Sequence, residues 1–194
     1  MLPLTKTAVV RHERAKDRAR IDVLLDQAFG LDRQQKKTVY RLREGVEAVR
    51  ELSYVVEYVA ENDEPSAVAG SAEQDLAATI RYWPVLLPSN NGTLLLGPIA
   101  VDEARKSEGI GASLMTFSMN QAKALGYTSL LLVGDQPYYQ RFGFTRDVTK
   151  GLTLPGPVEE ERFLGIEFVP GSLTREQGMI KKWPAGRLLP HYKK

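Results

Sequence analysis

The chain has 194 residues, enough for one domain with a substantial hydrophobic core. Apolar residues make up 43% of it and charged residues 26%, as in a typical globular protein, and the net charge of +2 is too small to suggest a nucleic-acid-binding protein. The absence of cysteine excludes disulfides, thiolate metal sites and a cysteine nucleophile. His12 and His191 lie near opposite termini without metal-ligand spacing, and His12 is interpreted as a polar loop residue.

The N-terminal segment Met1–Arg20 has no apolar core of signal-peptide length, and no run of about 18 apolar residues occurs anywhere in the sequence. We therefore expect a cytoplasmic protein with neither a membrane nor a nucleic acid as its partner. We also expect one domain over residues 1–194, with a core over about 5–147 and C-terminal strands and a tail over 148–194.

Hydrophobic periodicity divides the first half of the chain into short strands and helices. Gly30 is expected to end the first helix, and Pro84 to break or bend the third strand. The predicted elements are a strand over 7–11, a helix from about 21, a helix over about 39–50, a strand over 52–59, a loop or weak hairpin over 61–74 and a strand over 76–87.

The next strand contains an unusual pair of residues. Asn91-Gly92 favours a tight hairpin turn, and Thr93–Val101 has the pattern of a buried central strand. Within it, Pro98 has no N–H to donate and Gly97 has no side chain, which together predict a bulge. A bend there would free backbone groups near Ile99–Val101 to pair with a ligand that carries amide groups. The alternative is a strand that begins only at Ile99.

A charged loop with two glycines follows this strand. Gly109 and Gly111 permit unusual backbone angles and a close approach to a ligand, and apolar residues at helical spacing over 110–125 predict a helix that ends at Gly126. The N–H groups of its first turn would face an anion such as a phosphate. The same glycines also suit a tight turn that merely lets helix and strand pack closely, and Gly-x-Gly alone does not decide between the two.

Two other phosphate-binding motifs fit this loop less well. A Walker loop requires Gly-Lys-Ser or Gly-Lys-Thr, which the sequence does not contain. A dinucleotide fingerprint requires a third glycine where Leu114 stands, although Asp135 ends the next predicted strand at about the right distance. A dinucleotide-binding protein is therefore disfavoured but stays open.

A second apolar run begins at Ser129 and predicts another buried strand. A crossover helix of this length makes the strands at Leu94 and Ser129 parallel neighbours. Because the earlier strands are antiparallel, the predicted fold is α/β (α+β), a mixed, mostly antiparallel sheet with helices on both faces. Later strands are predicted over Arg162–Val169 and Gly178–Trp183.

Two tyrosines follow the second strand of this unit, in the segment Tyr138-Tyr139-Gln140-Arg141-Phe142-Gly143-Phe144. A tyrosine at this point could supply a proton beside whatever group a bound phosphate carries. The alternative for both tyrosines is packing of a short helix.

These motifs resemble those of the GNAT superfamily of acetyl-CoA-dependent N-acetyltransferases. The family motif Gln/Arg-x-x-Gly-x-Gly/Ala is matched by Lys106-Ser107-Glu108-Gly109-Ile110-Gly111, with lysine where Gln or Arg is usual. The family segment Phe/Tyr-Tyr-x-x-x-Gly-Phe is matched by Tyr138 to Phe144. With Gly97-Pro98, the motifs are similar to those of a bacterial subgroup of largely uncharacterised acetyltransferases, and they cover about a quarter of the chain.

The resemblance implies that the parallel strand pair splays into a V that holds the cofactor. It implies acetyl-CoA (CoA) as cosubstrate, no metal, and direct transfer of the acetyl group to a primary amine on a small molecule or a protein. Tyr139 aligns with the tyrosine often assigned as general acid, and Tyr138 is the less favoured candidate. The implied contacts are Ile99, Ala100 and Val101 for the pantetheine and the thioester oxygen, and Lys106, Ser107, Glu108, Gly109, Ile110, Gly111 and Ala112 for the pyrophosphate.

Several assignments stay open. Glu108 fits a pyrophosphate loop only if its side chain points away while its N–H is used. The candidates for the general base are Asp102, Glu103, Glu57 and ordered water, and none stands out. Tyr82 and Trp83 could line an acceptor pocket, although core packing is the commoner role for such aromatics.

The functional alternative to catalysis is an acyl-CoA-binding sensor without turnover, against which Tyr139 argues weakly. The sequence does not identify the acceptor, and it is compatible with a homodimer.

Overall fold

The protein, seen in a computed structural model that describes residues 6–31, 38–60 and 76–189, is built around one central sheet. The strands are β1 (Lys6–His12), β2 (Tyr54–Ala60), β3 (Leu76–Leu86), β4 (Gly92–Val101), β5 (Ser129–Val133), β6 (Leu152–Thr153), β7 (Phe163–Glu167), β8 (Gly178–Met179) and β9 (Lys181–Lys182). The central sheet has the order β1-β2-β3-β4-β5-β7, with β9 beside β3, and β6 and β8 form a separate parallel pair.

Helices cover both faces of the sheet. They are α1 (Arg18–Phe29), α2 (Val39–Arg43), α3 (Ile110–Ala124) and α4 (Gln136–Tyr139). Successive strand side chains point to opposite faces, so that Val56 packs with Leu114 of α3 whereas Val55 packs with Ile21 of α1. We call these two sides the α3 face and the α1 face.

The strand directions agree with the predicted mixed sheet. Within the described residues, the ladders of the central sheet are antiparallel except for that between β4 and β5. This parallel pair is connected by α3, as the crossover length predicts. The predicted fold class is therefore confirmed.

The second predicted helix is much shorter than its apolar spacing suggests. It ends at Arg43, because Glu44 has an extended ψ of 119° and Gly45 a positive φ of 65°. Val49, predicted near the helix end, instead donates its N–H to the carbonyl of Tyr82 at 2.8 Å. Its periodic position reflects burial beside the sheet and not a helix.

Proline does not break the third strand. β3 runs unbroken through Pro84, and the irregularity in its pairing falls between Ile80 and Tyr82. β2 pairs with β3 only as far as Ile80. The missing N–H of Pro84 therefore costs no hydrogen bond to β2. The loop predicted over residues 61–74 lies outside the described residues, as does His191.

A buried ion cluster fixes β1 and the start of α1 to β2. Asp17 is fully buried and accepts hydrogen bonds from Arg11 at 2.6 and 2.9 Å, from the backbone N–H of Arg14 at 2.8 Å, and from Arg20. Arg11 also donates to Glu57 of β2 at 2.7 Å. Burial alone would raise the pKa of Asp17, but these hydrogen bonds outweigh it and hold that pKa well below its ordinary value.

We expect Asp17→Asn to lower the free energy of unfolding by about 3–5 kcal/mol at pH 7, because it removes the fully buried charge that pairs with the partly buried Arg11 and Arg20. A carboxylate with a depressed pKa contributes stability above its unfolded pKa of about 3.9, and this contribution is lost as the pH falls through the folded pKa. The difference from wild type should therefore narrow at pH 3 in urea denaturation. Asp147→Asn is the control, since its ion pair with Lys150 is exposed and its loss should leave the free energy of unfolding nearly unchanged. Equal losses for the two variants would contradict this role of Asp17.

Candidate active site

The two parallel strands separate soon after they meet. β4 and β5 pair only at Leu94 with Leu130 and at Leu95 with Leu131. Beyond that point β5 pairs with β7 as far as Val133, and β4 pairs with β3 as far as Val101. The edge of β4 that faces β5 is therefore open over Ile99–Val101, and the gap between the strands is the β4–β5 cleft.

The predicted bulge is present at the start of this open edge. Ile99 pairs with Ile80 and Leu96 with Tyr82, so that Gly97 and Pro98 together lie opposite one residue of β3. β4 begins at Gly92, which rules out the alternative of a strand that starts at Ile99. Gly97 has a φ of 113°, which favours glycine, and the peptide bond to Pro98 is cis.

The predicted glycine loop leads into an uncapped helix. A 3-10 segment over Glu103–Glu108 is followed by Gly109 in the left-handed conformation, with φ 74° and ψ 4°, and then by α3. No side chain caps this terminus, and the first residue bonded back within the helix is Ser113, whose N–H donates to Gly109 at 3.0 Å. The N–H groups of Ile110, Gly111 and Ala112 thus have no acceptor within the helix, at its positive end.

Charged side chains beside the loop are paired with one another. Lys106 forms an ion pair with Glu103, and Arg105 lies 3.4 Å from a carboxylate oxygen of Glu108. The hydroxyl of Tyr58 on β2 donates to the other oxygen of Glu108. These pairings hold the carboxylate of Glu108 between Tyr58 and Arg105 and leave the backbone N–H groups as the main anion-binding feature.

Gly111 is the point at which the loop, β4 and the tyrosine segment meet. A Cβ at this position would lie 3.1 Å from Cγ2 of Val101 and 3.5 Å from the hydroxyl of Tyr138. Only glycine leaves this close approach undisturbed. The structure therefore brings three separately predicted parts of the site together at one end of the cleft.

The two tyrosines occupy different environments. The half-buried ring of Tyr139 lies against Gly134, where no side chain would fit, and edge-on to Phe144 at 6.2 Å. Burial raises the pKa of Tyr139 to about 12, with smaller contributions from Tyr138 and Asp135. Tyr138 is 37% exposed, and its hydroxyl is the one beside the glycine loop.

The three carboxylates considered as general base all have partners. Asp102 accepts the N–H of Ala104 at 3.1 Å, and Glu103 pairs with Lys106. The hydrogen bond from Arg11 lowers the pKa of Glu57.

The remaining candidates of the sequence take structural positions. His12 is the last residue of β1 and stacks on Tyr54 at 4.7 Å, so it is not a loop residue. Tyr82 is fully buried, with its hydroxyl 2.8 Å from that of Ser118 on α3. Trp83 lies on the α1 face and lines a cavity.

The wall of that cavity contains a buried arginine that was not predicted from the sequence as a functional residue. Arg43 is 8% exposed, and its Nε has no hydrogen-bond partner. The available signal was its spacing, since Arg43 stands four residues after Val39, on the apolar stripe of α2.

Across the described ranges, no group of His, Asp and Glu is arranged to hold a metal ion. In the same part of the chain, no helix is long and apolar enough to cross a membrane.

Comparisons with known proteins agree with the fold described above. The N-acetyltransferase YhbS of Escherichia coli K12 is 27% identical over 179 residues, which are 89% of this chain and 95% of that protein. The crystal structure of E. coli YhbS with CoA matches with a TM-score of 0.70 and 22% identity, over 94% of this chain and 93% of the other. A GNAT family acetyltransferase of Brucella melitensis, crystallised with acetyl-CoA, matches with a TM-score of 0.60 and 25% identity, over 92% and 97%.

The sequence profile described as the acetyltransferase (GNAT) family matches residues 26–144, which include β4, the glycine loop and the tyrosine segment. Since this match spans more than half of the chain, the protein belongs to the GNAT family of acetyltransferases.

Proposed function

We propose that the protein transfers the acetyl group of acetyl-CoA directly to a primary amine. The observation that carries the proposal is the open edge of β4 over Ile99–Val101, which leads towards the uncapped N-terminus of α3. A cosubstrate with amide groups in an extended arm and a pyrophosphate at its end matches these two features in order. The CoA and acetyl-CoA held by two similar proteins support the same choice.

In this proposal the backbone of Ile99, Ala100 and Val101 binds the pantetheine arm and polarises the thioester oxygen. The segment from Lys106 to Ala112 binds the pyrophosphate, chiefly through the N–H groups at the start of α3. Glu108 contributes its backbone there, because its carboxylate is held by Tyr58 and Arg105.

The reaction forms a C–N bond and breaks the C–S bond, so the sulfur must gain a proton and the nitrogen must lose one. We assign the proton donor to Tyr139. With a pKa raised to about 12, its phenol is in the protonated donor form throughout the neutral range, and it is a weaker acid than an ordinary phenol, so the transfer must be driven by the charge that develops on the leaving sulfur. The nitrogen is proposed to lose its proton to ordered water, since Asp102, Glu103 and Glu57 are already paired.

Amine-dependent release of thiol from acetyl-CoA tests the proposal. A panel of amino acids, small amines, aminoglycoside-type antibiotics and peptides with free lysines or N-termini should include acceptors that raise thiol release well above buffer hydrolysis. Binding of acetyl-CoA without thiol release from any acceptor class would instead favour the sensor alternative.

A further inference from the structure

A second recess lies beside the bulge, on the α1 face of the sheet. It has a volume of about 610 Å³ and is lined by α1, by the chain from Tyr40 to Val46, by Arg81 and Trp83 of β3, and by Pro98 of β4. We call it the Arg43 cavity. The volume suits a small molecule.

Two residues that line this cavity each carry a buried side-chain nitrogen without an acceptor. Among the described residues, the buried side-chain nitrogen and oxygen atoms without a hydrogen-bond partner are Nε of Arg43 and Nε1 of Trp83. The Arg43 guanidinium carbon lies 5.7 Å from the centre of a Trp83 ring and 5.2 Å from that of Tyr40. Aromatic faces offset part of the cost of a buried charge, but they supply no hydrogen-bond acceptor in the plane of the guanidinium.

The neighbouring arginine on the same face, by contrast, has a carboxylate partner. Arg81 is held by Glu13 through two hydrogen bonds of 2.7 and 2.6 Å. Arg43 forms no ion pair with any described carboxylate. A buried guanidinium is nearly always paired in folded proteins, so the unpaired Arg43, whose terminal nitrogens are not among these buried atoms, indicates a site for an anionic oxygen from outside the chain.

Arg43 lies next to the start of the open edge of β4. A Cβ on Gly97 would be 3.3 Å from Nη2 of Arg43 and 3.9 Å from the backbone nitrogen of Ile99. Tyr82 bonds to Ser118 of α3, so its neighbour Trp83 points to the opposite side of the sheet. A molecule in the Arg43 cavity would thus reach the acetyl group from the α1 face, whereas the pyrophosphate would lie at the end of α3.

We propose that the Arg43 cavity binds the carboxylate of the acceptor amine, with the terminal guanidinium nitrogens of Arg43 as donors and the Trp83 ring packed against them. This proposal rests on the proposed acetyl transfer and narrows its substrate to small, amino-acid-like amines. Asp22 and Glu44 also line the cavity. Their charges favour a ligand that carries an ammonium group as well, while Arg18 and Arg41 on the same lining strengthen the attraction for its anionic group.

Steady-state kinetics with matched acceptors tests the assignment. Wild type should use amino acids at least about 10-fold more efficiently, in kcat/KM, than the corresponding amino-acid amides. Arg43→Gln should remove this preference by raising KM for the acids, with acetyl-CoA affinity unchanged. Arg41→Gln is the matched control, because Arg41 lines the same cavity but is exposed and bonded to the carbonyl of Pro155.

Binding of N-acetylglycine and N-acetylglycinamide, followed by calorimetry, gives a readout that needs no turnover. N-acetylglycine should bind about 10-fold tighter to wild type, and Arg43→Gln should reduce the difference. Arg43→Met should melt no lower than wild type, since it removes an unpaired buried charge, whereas an arginine needed only for the fold would lower the melting temperature.

The two proposals fail in different ways. Equal binding of the two probes, tighter competition by inorganic phosphate than by acetate, or unchanged discrimination in Arg43→Gln would overturn the carboxylate site. Amine-dependent thiol release would stand in each of those cases. Arg43-dependent binding of N-acetylglycine without acetylation of any amine would keep the anion site and contradict acetyl transfer.

Discussion

Tyr139→Phe is expected to lower the maximal rate of acetyl transfer by about 10²–10⁴-fold. The change removes one oxygen and little volume from a half-buried ring that packs on Gly134 and Phe144. Acetyl-CoA affinity should change by only a few-fold, because the proposed contacts to pantetheine and pyrophosphate lie elsewhere. The measurement is kcat with a competent acceptor, together with calorimetric binding of acetyl-CoA.

Tyr138→Phe is the internal control for this prediction. The hydroxyl of Tyr138 faces Gly111, so its loss should affect cosubstrate affinity more than kcat. The pH profile adds a second readout. An acid with a pKa of about 12 gives wild type no falling limb in kcat below about pH 10. Equal behaviour of the two variants, or most of the rate retained in Tyr139→Phe, would mean that Tyr139 only packs.

Gly111→Glu should abolish measurable binding of acetyl-CoA. It places a side chain between Val101 and Tyr138, where even a Cβ would lie 3.1 Å from the valine methyl, and it adds a negative charge at the proposed pyrophosphate site. Gly111→Ala tests the steric part alone and should weaken binding less. Isothermal titration of both variants measures the effect, and circular dichroism verifies their folding.

Glu108→Lys reverses a charge only three residues away and serves as the matched control. Its side chain is directed to Tyr58 and Arg105, so affinity for acetyl-CoA should be retained or increased. If Gly111→Glu binds acetyl-CoA as well as wild type does, the pyrophosphate lies elsewhere.

Features with local causes were predictable from the sequence. The bulge follows from the missing N–H of Pro98 and the missing side chain of Gly97, and α3 follows from a periodic stripe bounded by Gly109 and Gly126. The parallel pairing of β4 and β5 follows from the length of the connection between them.

Features that depend on distant parts of the chain were not predictable. Val49 has helical spacing, yet its N–H is taken by Tyr82, more than 30 residues away. The Arg43 cavity exists because α2 packs against β3, and no local pattern shows that the side chains of Arg43 and Trp83 meet there without an acceptor. The separate environments of Tyr138 and Tyr139 likewise come from the packing of α4 against Gly111 and Gly134.

Binding of acetyl-CoA by the unmodified protein tests the central claim most directly. Acetyl-CoA and CoA should each raise the melting temperature, and at about 100 times the dissociation constant the stabilisation should reach roughly 2.7 kcal/mol. NADH and NADPH at the same concentration should leave the melting temperature unchanged, since Leu114 stands where a dinucleotide loop needs glycine. A folded protein whose melting temperature responds to neither acetyl-CoA nor CoA would contradict the account.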